Sequence, residues 1–119
     1  NHLNKIDDFE LVASCSSAIE ASKILQENTI DLLFLDIEMP VLKGIDFYKN
    51  LIHKPKVIFT TAYRDFAIEG FELNAVDYIL KPITFQRFFN AIEKFRLKFI
   101  YLITNSILPS QVFLLFWKN

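Results

Sequence analysis

The sequence predicts an α/β domain built on a doubly wound parallel sheet, with helices on both faces. Three observations carry that prediction. Apolar, β-branched runs alternate with amphipathic helical stretches along the chain, the pattern of consecutive βα units. The run Leu32-Leu33-Phe34-Leu35 is continuously apolar rather than alternating, as a strand covered on both faces of a parallel sheet must be. The composition supports one packed core: 119 residues, 52% hydrophobic, with thirteen phenylalanines, which argues against disorder.

The elements follow in order. Asn1 to Asp8 is polar, with Leu3 and Ile6 at helical spacing, and reads as the last turns of a helix. Phe9 to Ala13 reads as a strand, and Ser16 or Ser17 as the N-cap of a helix from Ala18 to Glu27. That helix keeps Ala18, Ala21, Ser22 and Leu25 on one face and turns Glu20 and Lys23 outward. The strand through Leu35 closes on Asp36; a loop through Pro40 and Gly44 leads to a short helix from about Ile45 to Ile52, carrying Phe47, Tyr48 and Leu51. Lys56 to Ala62 is a β-branched strand ending in the hydroxyls of Thr60 and Thr61. Tyr63 to Asn74 reads as a helix with Phe66, Ala67 and Phe71 inward and Gly70 as its weak point. Ala75 to Leu80 is a strand running into Lys81-Pro82, and Thr84 caps a helix to Phe99. Phe85, Phe88, Phe89, Ile92, Phe95 and Phe99 recur on it at helical spacing, the signature of a core-facing stripe.

Several functions are disfavoured at once. The net charge of −1 and the lack of a basic recognition helix give no basis for direct nucleic-acid binding or attraction to an anionic membrane. The single Cys15 excludes an internal disulfide and fits a reducing compartment, hence a cytoplasmic location. His2 and His53 lie far apart with no ligand partners at metal-binding spacing. With two glycines, neither in a phosphate-cradling loop, a flavodoxin-like enzyme or flavin mononucleotide carrier is disfavoured.

One constellation does carry chemistry. Three successive strands end in Asp36, Thr60-Thr61 and Lys81, and parallel strands bring those carboxyl ends to one edge, where open α/β sheets place their sites. A carboxylate there can attack a phosphoryl group, a hydroxyl can hydrogen-bond one of its oxygens, and an ammonium can neutralise another. Each element alone has an ordinary structural role: an acid before a proline turn, a threonine in a strand, a lysine in a solvated turn.

The words Leu33-Phe34-Leu35-Asp36-Ile37-Glu38-Met39-Pro40, Gly44, Val57-Ile58-Phe59-Thr60-Thr61-Ala62-Tyr63, Ala67 to Phe71 and Val76-Asp77-Tyr78-Ile79-Leu80-Lys81-Pro82-Ile83 resemble the receiver domain of two-component response regulators. They are closest to the receivers that precede LytTR-type DNA-binding domains, and the match runs from about Leu3 to Phe95. The resemblance implies a flavodoxin-like fold and a phosphoprotein rather than an enzyme. It further implies phosphorylation of Asp36 by a sensor histidine kinase and control of an output domain or partner in transcription regulation. It matches the backbone carbonyl of Glu38, with Asp36, to ligands of Mg²⁺, and Thr61 to the hydroxyl that moves onto the phosphoryl group. Lys81 matches the family lysine, joined to Pro82 through a usually cis peptide, and Tyr78 the aromatic switch residue. The remodelled surface over 63–97 would be a homodimer face.

Two departures from the family pattern stand out. A receiver opens with a strand followed by adjacent acids that complete the Mg²⁺ site. Here Asp7-Asp8 directly precedes the Phe9 strand, so the pair reads as a solvated loop. The chain thus reads as an N-terminally truncated receiver over 1–97, lacking the first, central strand and most of the first helix. Mg²⁺ binding would be weak or lost, and the Phe9 and Asp36 strands would face a gap. The second departure is the tail over 98–119, where two apolar runs are separated by Asn105, Ser106, Pro109, Ser110 and Gln111. It fits a membrane segment poorly, being short and interrupted; a frameshifted peptide and a run lying against an exposed sheet edge are the other readings. A degenerate, phosphorylation-independent interaction module using the Tyr78 face is the competing functional class.

Overall fold

The structure, a computed structural model, describes residues 9–38, 42–63, 74–100 and 110–115. The turns and acidic pair before Phe9, Met39-Pro40, the helix expected after Tyr63, and tail positions 101–109 and 116–119 lie outside the described residues. In chain order the elements are β1 (Phe9–Cys15), α1 (Ala18–Glu27), β2 (Leu32–Asp36), α2 (Gly44–Lys49), β3 (Lys56–Thr61), β4 (Asp77–Leu80), α3 (Phe85–Ile100) and β5 (Ser110–Leu115).

Local chemistry sets the element ends. Ser17 caps α1, its Oγ accepting the Glu20 N–H at 3.2 Å. Thr84 does the same for α3 through the Arg87 N–H, also at 3.2 Å. Helix α2 stops three residues before the expected Ile52, because the Asn50 side-chain amide donates to the Asp46 carbonyl at 2.9 Å and closes the last turn.

The five strands form one sheet in the order β1-β5-β2-β3-β4, every neighbouring pair parallel. Its two faces bury different sets of side chains. Leu32, Phe34, Ile58 and Ile79 meet Phe88, Ala91, Ile92 and Phe95 of α3, with the rings of Phe34 and Phe88 stacked 5.0 Å apart. Leu33, Leu35, Val57 and Phe59 point the other way, toward Ala21 of α1 and Ile45, Phe47 and Tyr48 of α2. All five β2 residues are buried, as its unbroken apolar run requires.

The sheet corrects one expectation. No gap separates the Phe9 and Asp36 strands: β5 lies between them, with Leu11 and Leu32 both opposite Val112. Ser110–Leu115 is β-branched, aromatic and short, and between two parallel strands its backbone amides and carbonyls find ladder partners on both sides. Of the three readings of the tail, the described part is the run that lies against the sheet, inside it rather than at its rim.

Candidate functional site

The carboxyl ends of β2, β3 and β4 share one edge because the registers align them: Asp36 stands opposite Thr60, and Thr60 opposite Ile79. Backbone bonds continue past the ladder, Ile37 N–H to the Thr60 carbonyl at 2.9 Å and Lys81 N–H to the Thr61 carbonyl at 2.7 Å. The edge is therefore rigid up to the residues that carry its chemistry.

Asp36 is 5% exposed. Its Oδ2 is paired with the Lys81 ammonium, and its Oδ1 accepts the Glu38 N–H at 3.1 Å. Burial, the largest influence, raises the Asp36 carboxyl above its ordinary value, although Lys81 and the Glu38 N–H pull the other way. Lys81 is joined to Pro82 by a cis peptide. A buried carboxylate with one oxygen neutralised by a semi-exposed ammonium is a competent nucleophile toward an electrophile that brings its own negative charge.

Thr61, fully buried, completes the edge through an intermediary. Its hydroxyl donates to Glu38 Oε2 at 2.5 Å, while the Ala62 N–H donates to Glu38 Oε1 at 2.9 Å. Thr61 Oγ1 also accepts the Tyr63 N–H at 3.0 Å. Thr60 stays in the ladder. Tyr78 stands away from this cluster, half-buried on β4 with its ring 6.2 Å from Phe59 on the α1 and α2 face.

Sequence reasoning used only the backbone of Glu38; its carboxylate, and the Ala62 N–H it engages, were missed. An acid two residues past a strand end carries no signal of where its side chain folds. Gly44 was read only as loop. Its amide donates to the Ile37 carbonyl at 3.0 Å, and a Cβ there would lie 2.3 Å from the Asp36 carbonyl oxygen, so α2 can approach β2 only through a glycine.

Among the described residues, the side chains at this edge do not supply the several oxygen ligands that a divalent cation takes. Both Asp36 oxygens and both Glu38 oxygens already have partners, and among the described residues no group of three or more His, Cys, Asp or Glu side chains comes together.

A five-stranded parallel sheet with helices on both faces and an Asp-Thr-Lys set at its carboxyl edge is the architecture of a signalling domain of the doubly wound class. The comparisons agree. The family model of the response regulator receiver domain matches residues 1–93, and the chain belongs to that family, the receivers of two-component systems. Protein MrkE of Klebsiella pneumoniae is 40% identical over 95 residues, covering 77% of this chain and 35% of that protein. Transcriptional regulatory protein BtsR of Salmonella typhimurium is 39% identical over 92 residues, covering 76% and 38%. The crystal structure of the MrkE response regulatory domain superposes with a TM-score of 0.73 at 38% identity over 82% of each chain. The chain thus spans little more than a third of the length of these full-length relatives. Receiver domains are signalling modules, and those of the family bind Mg²⁺ where they are phosphorylated; among the described residues no acidic cluster of that kind is brought together.

Proposed function

We propose that this chain is the receiver part of a transcription-regulating, LytTR-type response regulator, and that Asp36 accepts a phosphoryl group from a sensor histidine kinase in the cytoplasm. The observation that carries the reading is the buried Asp36 paired to Lys81 at the same sheet edge as the Thr61 hydroxyl. The relatives named as transcriptional regulators support the output assigned. Residues 1–97 form the phosphorylated unit, and the 98–119 tail contributes its central strand. Among the described residues no helix is long and apolar enough to cross a membrane.

In this reading Asp36 attacks, Lys81 neutralises, and Thr61 is recruited to the phosphoryl oxygens. Movement of Thr61 frees space beside β4 into which Tyr78 turns, remodelling the 63–97 face for a second copy. The added charge supplies the differential interaction that such a shift requires. Incubation with ³²P-labelled acetyl phosphate, with and without Mg²⁺, tests it: stable label on the parent and none on Asp36→Asn is the expected result. Absence of label on both, in folded protein, overturns it.

One observation favours a second reading. Asp36 and Glu38 have no third acid beside them among the described residues, so a phosphorylation-independent interaction module would keep this fold and use the Tyr78 face without the covalent step. Binding of a partner unchanged by Asp36→Asn is the result that reading expects.

A further inference from the structure

The end of β3 carries two hydrogen-bond donors on successive residues, the Thr61 hydroxyl and the Ala62 N–H, and both point at one anion. That anion belongs to the chain itself. The Glu38 carboxylate accepts them through separate oxygens, at 2.5 and 2.9 Å, while the Glu38 N–H holds Asp36 Oδ1 at 3.1 Å. The segment from Asp36 to Glu38 is thereby folded back so that its second acid covers the donors at the end of β3, the strand beside β2. The Tyr63 N–H fixes Thr61 Oγ1 from the other side, at 3.0 Å, so the hydroxyl proton is directed at the carboxylate.

A trigonal carboxylate and a tetrahedral phosphoryl group both present pairs of oxygens to such donors, and both make charge-assisted hydrogen bonds. They cannot share the same two. We propose that Glu38 is an internal stand-in anion, occupying the Thr61 and Ala62 donors in the resting state, so that a phosphoryl group arriving on Asp36 must displace it. The proposal rests on the reading of Asp36 as phosphoacceptor and adds a competitor to it. In the transfer, the phosphorus–nitrogen bond of a phosphohistidine, or the phosphorus–oxygen bond of an acyl phosphate, breaks. The leaving imidazole or carboxylate keeps the electron pair, and an Asp36 oxygen–phosphorus bond forms; Glu38 exchanges partners without covalent change.

Electrostatics gives the displacement its direction. Asp36 and Glu38 are two acids two residues apart, of which Asp36 is paired with the Lys81 ammonium, and a phosphoryl group adds further negative charge beside them. Glu38 is the exposed member, so its side chain can rotate into water, whereas Asp36 is buried. The Thr61 hydroxyl would then exchange the Glu38 carboxylate for a phosphoryl oxygen as its acceptor.

The test uses Glu38→Ala and Glu38→Gln in the full chain, with acetyl phosphate as donor at fixed Mg²⁺ and inorganic phosphate as a non-covalent probe read at the Ala62 and Tyr63 amide resonances. Label should enter Glu38→Ala about tenfold faster than the parent, the effect of removing one charge-assisted competitor. Glu38→Gln, which keeps the size but not the charge, should fall between. Inorganic phosphate should shift the Ala62 amide in Glu38→Ala, with or without the additional change Asp36→Asn, and not in the parent. Equal or slower labelling of both variants together with an unresponsive Ala62 amide overturns the proposal. Absence of label on every chain alongside a phosphate-dependent Ala62 shift in Glu38→Ala supports the stand-in while overturning the phosphoacceptor reading.

Discussion

Buried Asp36 and half-buried Asp77 are pushed in opposite directions by their surroundings. Asp36 is held above its ordinary value chiefly by burial. Burial also works against ionisation of Asp77, but bonds from Arg87 and the Tyr78 N–H, with the charges of Arg87 and Lys94, outweigh it and hold the Asp77 carboxyl below its ordinary value. Arg87 grips both Asp77 oxygens, at 2.6 and 2.9 Å, and the Tyr78 carbonyl at 3.0 Å. A carboxyl lowered on folding adds stability that is complete above its unfolded value and vanishes as pH falls through the folded one. Asp77→Asn should therefore cost about 1–2 kcal/mol at pH 7, discounted for a guanidinium that is one-third exposed, and the difference should close below pH 4. Thermal melts of both proteins across pH 3–7 check it; a pH-independent difference would assign the effect to packing. Burial disfavours the ionised form of Asp36 and keeps its carboxyl group away from water. Cys15 shows the inert counterpart: burial and the nearby Glu20 push its thiol to about 11.

At the scale of elements, strand ends were legible and contacts between elements were not. Asp36, Thr61 and Lys81 could be placed because each terminates an apolar run whose direction the alternating pattern sets. The Ser17 and Thr84 caps were legible for the same local reason. The Arg87 grip on Asp77 left no trace in the sequence, since a charged pair ten residues apart fits no helical or strand period. Gly44 is the clearest case: its need arises from the Asp36 carbonyl, across a turn whose geometry the sequence does not state. Gly44→Ala should force α2 and β2 apart, at about 1–3 kcal/mol, and shift the Asp36 and Ile37 amide resonances. An unchanged melting temperature with unchanged amides would mean that the loop absorbs the methyl group freely.

For the whole molecule, the central strand comes from the far end of the chain. Parallel pairing between distant segments has no periodic signature, which is why the sequence suggested a gap where the structure has a strand. Because β5 serves both β1 and β2, breaking it should break the sheet in two. Val112→Pro, at a position paired on both sides, should remove the cooperative thermal transition seen by circular dichroism, or lower stability by about 3 kcal/mol or more. A melting temperature within a few degrees of the parent would show that β1 stands on α1 alone.

That arrangement also governs how the chain reaches its fold. β2, β3 and β4 can assemble from a contiguous stretch with α2 between them, but β1 joins them only through residues about 100 positions further along. The entropy of closing so long a loop must be met before the β1 contacts repay any of it, so docking of β5 is the natural bottleneck of folding. Until it docks, the strand bearing Asp36 has one open side, and the edge that carries Asp36, Thr61 and Lys81 is the part of the molecule that matures last.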